Sequence, residues 1–107
     1  MHYKSKRSKA TDIPVEVKRI VAERDYHCCI FCGKVGLPEA HVISRAQGGL
    51  GIEQNIVTAC RTCHSLMDNS DRREQYVRFA KSYLHSIYPD WDEKNLVFNK
   101  WEGMKWQ

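Results

Sequence analysis

A chain of 107 residues, 42% apolar and 10% aromatic, has material for one small core, and that composition argues against both a second core and a disordered chain. No apolar run approaches the roughly 20 residues of a membrane helix, so no membrane-spanning helix is expected. Seventeen Lys and Arg against thirteen Asp and Glu give a net charge of +4, a balance that favours a polyanionic partner without specifying one.

The first ten residues carry Lys4, Lys6, Arg7 and Lys9 with no acidic neighbour. Residues 1–10 read as a flexible basic arm, either a solubilising tail or a phosphate-contacting one. No apolar stretch follows these charges, so no export signal is read and a reducing cytoplasm is expected. In that compartment paired cysteines hold metal more often than they form disulfides.

Residues 11–107 read as a single domain with no repeat, low-complexity stretch or linker. Asp12 is placed to cap a first helix, and Pro14 falls in its first turn, where a missing N–H costs little. Ile13, Val17, Ile20 and Val21 then share one helical face, and the helix is predicted to end near Asp25. Cys29-Ile30-Phe31-Cys32-Gly33 reads as a tight metal-binding knuckle, with Gly33 permitting the reversal. Two strands are predicted, over 39–45 and 52–59, joined by a loop with three glycines in the five residues 47–51.

A helix is predicted from Cys63 through Asp68. Another follows over about 71–88, capped by Asp71 and stopped by Pro89. Tyr76, Phe79, Ala80, Tyr83, Leu84 and Ile87 recur along it at helical spacing and predict its buried stripe. Arg72, Arg73, Arg78 and Lys81 avoid the stripe and read as solvated charge, with DNA contact as the alternative. The extension 89–107 holds Trp91, Trp101 and Trp106 without a clear period. Most of these tryptophans are expected to pack on the core.

Cys29 and Cys32 form one Cys-x-x-Cys pair and Cys60 and Cys63 a second, with 27 residues between the inner cysteines. Four thiolates in two such pairs suit a tetrahedral structural zinc, the competing reading being buried or redox cysteines. The intervening hairpin must fold back for the pairs to meet, so the metal would staple the knuckle to the start of a helix. Cys28 directly precedes Cys29 and could replace it in another spacing. The Cys-x-x-Cys-Gly frame has the better turn geometry, which leaves Cys28 a free thiol.

Arg24-Asp25, Cys29-x-x-Cys32-Gly33, Glu39-Ala40-His41-Val42-Ile43, Gly48-Gly49, Asn55-Ile56-Val57 and Cys60-x-x-Cys63-His64 follow one another in this order over residues 13–70. In these motifs the chain resembles the HNH endonuclease family, and among its members the small stand-alone phage type. The resemblance implies an α+β fold with a ββα-metal, treble-clef-like core over about 27–70, made of a β-hairpin, a four-cysteine zinc and flanking α-helices. It implies metal-dependent hydrolysis of DNA phosphodiesters leaving 5′-phosphate and 3′-hydroxyl ends.

By the same resemblance His41 is the general base, a role its ordinary pKa suits. Asn55 ties the hairpin loop and positions that base, and His64 is a ligand of the catalytic metal. Asp68, one helical turn beyond His64, is expected to be a second ligand. A His/Asp site takes magnesium, manganese, nickel or zinc. Arg45 is a candidate clamp for a phosphate oxygen, with an exposed strand-end arginine as its plain alternative.

One departure concerns the residue before the base. Many relatives have Asp or His there, contributing to the metal, and this chain has Ala40. Glu39 lies one residue further back, and strand alternation turns it away from Ala40's side, toward His41 or a cation. The alternative functions are therefore a weak or inactive zinc-stapled nucleic-acid-binding module and a structural module in a phage packaging assembly.

Overall fold

A computed structural model describes residues 5–98, so Lys4, Trp101 and Trp106 lie outside the described residues. In chain order the elements are helix α1 (Lys6–Thr11), helix α2 (Val15–Arg24), strand β1 (Leu37–His41), strand β2 (Ile56–Ala59), helix α3 (Arg61–Asn69) and helix α4 (Arg73–Ile87). Two short 3-10 turns, Arg45–Gln47 and Glu93–Leu96, complete them. The fold is α+β.

β1 and β2 pair antiparallel, with Ala40 opposite Val57 and His41 opposite Ile56. Alternation along β1 and on into Val42 sends Ala40 and Val42 into the core and leaves Glu39 and His41 on the other face. All four residues of β2 are buried. Met67 of α3 and Ala80 and Leu84 of α4 close the core, each with no exposed surface. Full burial of a side chain the size of Met67 or Leu84 contributes about 1.5–3 kcal/mol.

A second anchor is polar. Arg24, at the end of α2, forms a bidentate pair with Asp25 at 2.8 and 2.9 Å and donates to the carbonyls of Glu53 and Ile56, each at 2.8 Å. Asp25 Oδ2 accepts from the Thr58 N–H at 2.9 Å, and Oδ1 accepts from the Tyr83 hydroxyl. This network joins α2 to β2 and α4. Burial raises the Asp25 carboxyl, yet the bonds from Arg24 and Tyr83 outweigh it and hold its pKa below the usual aspartate range. Burial also raises the Tyr83 hydroxyl, and with the Asp25 bond it reaches about 12. Buried and fully partnered, the Arg24–Asp25 pair is a structural clamp.

Several local expectations change. Residues 6–11 form α1 where a flexible arm was expected, because Ser5 Oγ accepts from the Ser8 N–H and the helix docks on the 45–51 loop. Asp12 does not cap α2. Its carboxylate pairs with Arg45, and Pro14 takes the cap position without a side-chain bond.

The predicted strands shorten because the Asn55 side chain occupies both backbone groups of Ile43, and the Ser44 hydroxyl then caps the 3-10 turn that contains Arg45. Arg45 is therefore a turn residue rather than a strand end. Asp71 does not cap α4 either, since the Ser70 hydroxyl accepts from the Arg72 N–H at 3.0 Å. In the α4 stripe Ala80 and Leu84 are buried, while Phe79 is 52% exposed with its ring 5.5 Å from that of Phe31. Trp91 packs as expected, half-buried, its indole N–H donating to the Gln54 carbonyl at 2.8 Å.

Candidate active site and metal cluster

The knuckle and the start of α3 bring four sulfurs together. The Sγ atoms of Cys29, Cys32, Cys60 and Cys63 all lie within 4.8 Å of one another. Gly33, at φ 83°, turns the knuckle, and its N–H donates to the Cys29 carbonyl at 2.9 Å. Cys60 caps α3, and its sulfur accepts from the Cys63 N–H at 3.4 Å. That bond at a helix N-terminus draws the Cys60 thiol down to about 7, favouring the thiolate a metal needs.

Tetrahedral zinc with bonds of roughly 2.3 Å spaces its sulfurs about 3.8 Å apart. Cys32 and Cys60 stand 3.6 Å apart. Four soft donors at that spacing fit a structural zinc. Cys28 stays out of the cluster, half-buried and bridged through its backbone to Val35.

Beside the cluster opens a cleft of about 900 Å³. Glu39 and His41 of β1 line it, together with His64, Asp68 and Asn69 of α3. Arg45, Lys18 and Arg73 supply positive charge around it. The arrangement follows from the fold: β1 turns alternate residues to this side, and α3 begins at a cluster cysteine, which sets His64 one residue past Cys63.

His41 is more buried than exposed. Its Nε2 lies 2.9 Å from the Thr11 carbonyl oxygen, which can only accept. Nε2 therefore carries the proton, and Nδ1 keeps the lone pair of a base. Burial lowers the His41 pKa, and the positive charge of Arg45 adds to this, outweighing the Thr11 carbonyl. The shift favours the neutral imidazole over the imidazolium.

His64 and Asp68 stand one turn apart on α3, Nε2 to Oδ2 at 3.2 Å. Both are partly exposed to the cleft and offer a nitrogen and an oxygen to a divalent ion. Asn55, fully buried, holds the loop between the strands. Its Oδ1 accepts from the Ile43 N–H at 2.8 Å, and its Nδ2 donates to the carbonyls of Ile43 and Leu50 at 3.1 and 2.9 Å. Gly49 fits under this brace because a Cβ there would collide with the Ile43 carbonyl.

Ala40 is fully buried on the core side of β1, so the position before His41 faces away from the cleft. Glu39 faces the cleft and pairs with Lys18 at 3.3 Å. Thr11 and Asn69 escaped the sequence reading: a backbone carbonyl has no sequence signal, and Asn69 sits at an ordinary helix end. Arg73 is not simply solvated charge. It is half-buried, and its guanidinium donates to the Met67 carbonyl at 3.2 Å.

Residues 29–75 match the HNH endonuclease family. The matched HNH segment starts at the first cluster cysteine, ends in the first turn of α4, and includes all four cluster cysteines with His41, Asn55, His64 and Asp68. Its hairpin followed by α3 is the ββα-metal arrangement of that family. No curated protein and no solved structure matches the chain. The family so matched is one of endonucleases, which take nucleic acid as substrate. Among the described residues no helix is long and apolar enough to cross a membrane.

Proposed function

We propose that this protein is a metal-dependent DNA endonuclease, with a structural zinc in the Cys29, Cys32, Cys60 and Cys63 cluster. The observation that carries the reading is the convergence of His41, His64 and Asp68 on one cleft beside that cluster, within the HNH segment. His64 and Asp68 would hold the catalytic divalent ion, which a His/Asp pair allows to be magnesium, manganese, nickel or zinc. When bound, such an ion supplies Lewis-acid stabilisation of charge developing on the scissile phosphate and the 3′ oxygen.

The protein's own residues account for the rest. Nδ1 of His41 takes a proton from water as the water oxygen bonds to phosphorus. The bond from phosphorus to the 3′ oxygen breaks, and that oxygen takes a proton from solvent, leaving 5′-phosphate and 3′-hydroxyl ends. Asn55 keeps the loop after His41 in place. Arg45, while paired with Asp12, has further guanidinium N–H groups with which to clamp a phosphate oxygen.

A second reading has its own observation in Ala40, whose burial leaves the usual extra ligand position without a donor. Under it the protein is a zinc-stapled nucleic-acid-binding module. Incubating a labelled DNA duplex with the protein in each divalent metal, beside a chelated control, separates the two. Metal-dependent shortening of the labelled strand, read under denaturing conditions, supports the nuclease. Retention of the duplex on the protein at low salt, without shortening in any metal, supports the binding module.

A further inference from the structure

Residues 6–12 precede the HNH segment and yet reach its proposed base. Three contacts fasten them to the loop that follows β1. The Arg7 guanidinium donates to the Ala46 carbonyl at 2.6 Å and to the Arg45 carbonyl at 3.3 Å. The Ala10 carbonyl accepts from the Gly51 N–H at 2.9 Å. The Asp12 carboxylate pairs with Arg45. Between the last two fastenings lies Thr11, 3% exposed, whose carbonyl meets His41 Nε2. Gly51 leaves room for this crossing, since a Cβ there would strike the Asp12 carbonyl.

The geometry points to residues 6–12 as a positioning strap that holds His41 through the Thr11 carbonyl, so that the base site is completed from outside the HNH segment. The inference rests on His41 being the base. The strap holds the ring at Nε2 through backbone, which no change of the Thr11 side chain removes. Carbonyls that orient a functional imidazole act by fixing both its tautomer and its ring plane, and around metal-ligating histidines loss of such partners costs about 10- to 100-fold. Because Arg7 and Gly51 fasten the strap at separate points, its grip on His41 can be loosened in two unrelated ways.

The test uses the full chain and the variants Arg7→Ala, Arg7→Lys and Gly51→Ala. Nitrogen-15 NMR of the histidines reads whether the Nε2-bound proton of His41 is protected from solvent exchange. Cleavage of a DNA duplex over a range of concentrations reads kcat and KM. Wild type is expected to show a protected His41 Nε2 proton. Arg7→Ala and Gly51→Ala should lose that protection and cleave roughly 10-fold slower, with KM changed less than about twofold. Arg7→Lys keeps a donor for the Ala46 carbonyl and should stay near wild type.

In a His41→Ala background the two strap variants should slow cleavage no further. Unchanged proton protection and unchanged rate in both Arg7→Ala and Gly51→Ala overturn the strap. Arg7 is exposed, so its variants remain informative if Gly51→Ala does not fold. If wild type cleaves nothing, the base reading fails instead, and the proton signal alone decides whether the strap holds the ring.

Discussion

The side-chain amide of Asn55 takes both backbone groups of Ile43, accepting from its N–H at 2.8 Å and donating to its carbonyl at 3.1 Å. One side chain thus acts as the missing neighbouring strand for the residue two past His41. The loop can leave the sheet there without stranding buried polar groups.

Asn55→Ala is expected to lower stability by about 2–4 kcal/mol, because it orphans a backbone N–H and two carbonyls in one buried place. Asn55→Asp should fare no better. It keeps an acceptor for Ile43 but turns a second oxygen toward two carbonyls. The urea midpoint of each variant, with the slope m unchanged, checks both expectations.

Acid stability should trace to Asp25. Its folded-state pKa lies below the ordinary value, so its contribution is present above the unfolded pKa of roughly 3.9 and is lost as pH falls through the lower folded value. Asp25→Asn leaves Arg24 buried without its counter-charge and should cost about 3–5 kcal/mol at neutral pH. Denaturant unfolding of both proteins across pH should show that gap closing below about pH 4.

The sulfur cluster predicts one zinc per chain. Cys29→Ser and Cys63→Ser should abolish stoichiometric zinc and lower the thermal midpoint sharply, since structural zinc in small domains is worth on the order of 10 kcal/mol. Cys28→Ser should change neither. Elemental analysis with thermal unfolding, before and after a strong chelator, reads all three variants.

The framework was legible in the sequence because its signals are local. Two Cys-x-x-Cys pairs, a glycine-rich loop and a 3.6-residue stripe each declare themselves within a few residues. His41, Asn55, His64 and Asp68 could be singled out for the same reason, by their spacing from the cysteines. What stayed hidden depends on contacts between distant segments. Asp12 looks like a helix cap until Arg45, 33 residues on, offers a charge partner. The arm at residues 1–10 looks flexible until the 45–51 loop gives residues 6–11 somewhere to dock. The strand around Ile43 looks continuous until Asn55 substitutes for the ladder. Thr11 acts through its backbone, which every residue type would supply.

The proposal that His41 is the base is tested most directly by the nicking rate of supercoiled plasmid under single turnover, for wild type and His41→Ala, across about pH 5–9. A base must be unprotonated, and burial lowers the His41 pKa. The wild-type rate should therefore rise with pH along a limb centred below the ordinary histidine value of about 6.5, then stay flat through neutrality. His41→Ala should be slower by about 10²–10⁴-fold and lack that limb. A His41→Ala rate equal to wild type, or a wild type that nicks nothing in magnesium, manganese, nickel or zinc, would contradict it.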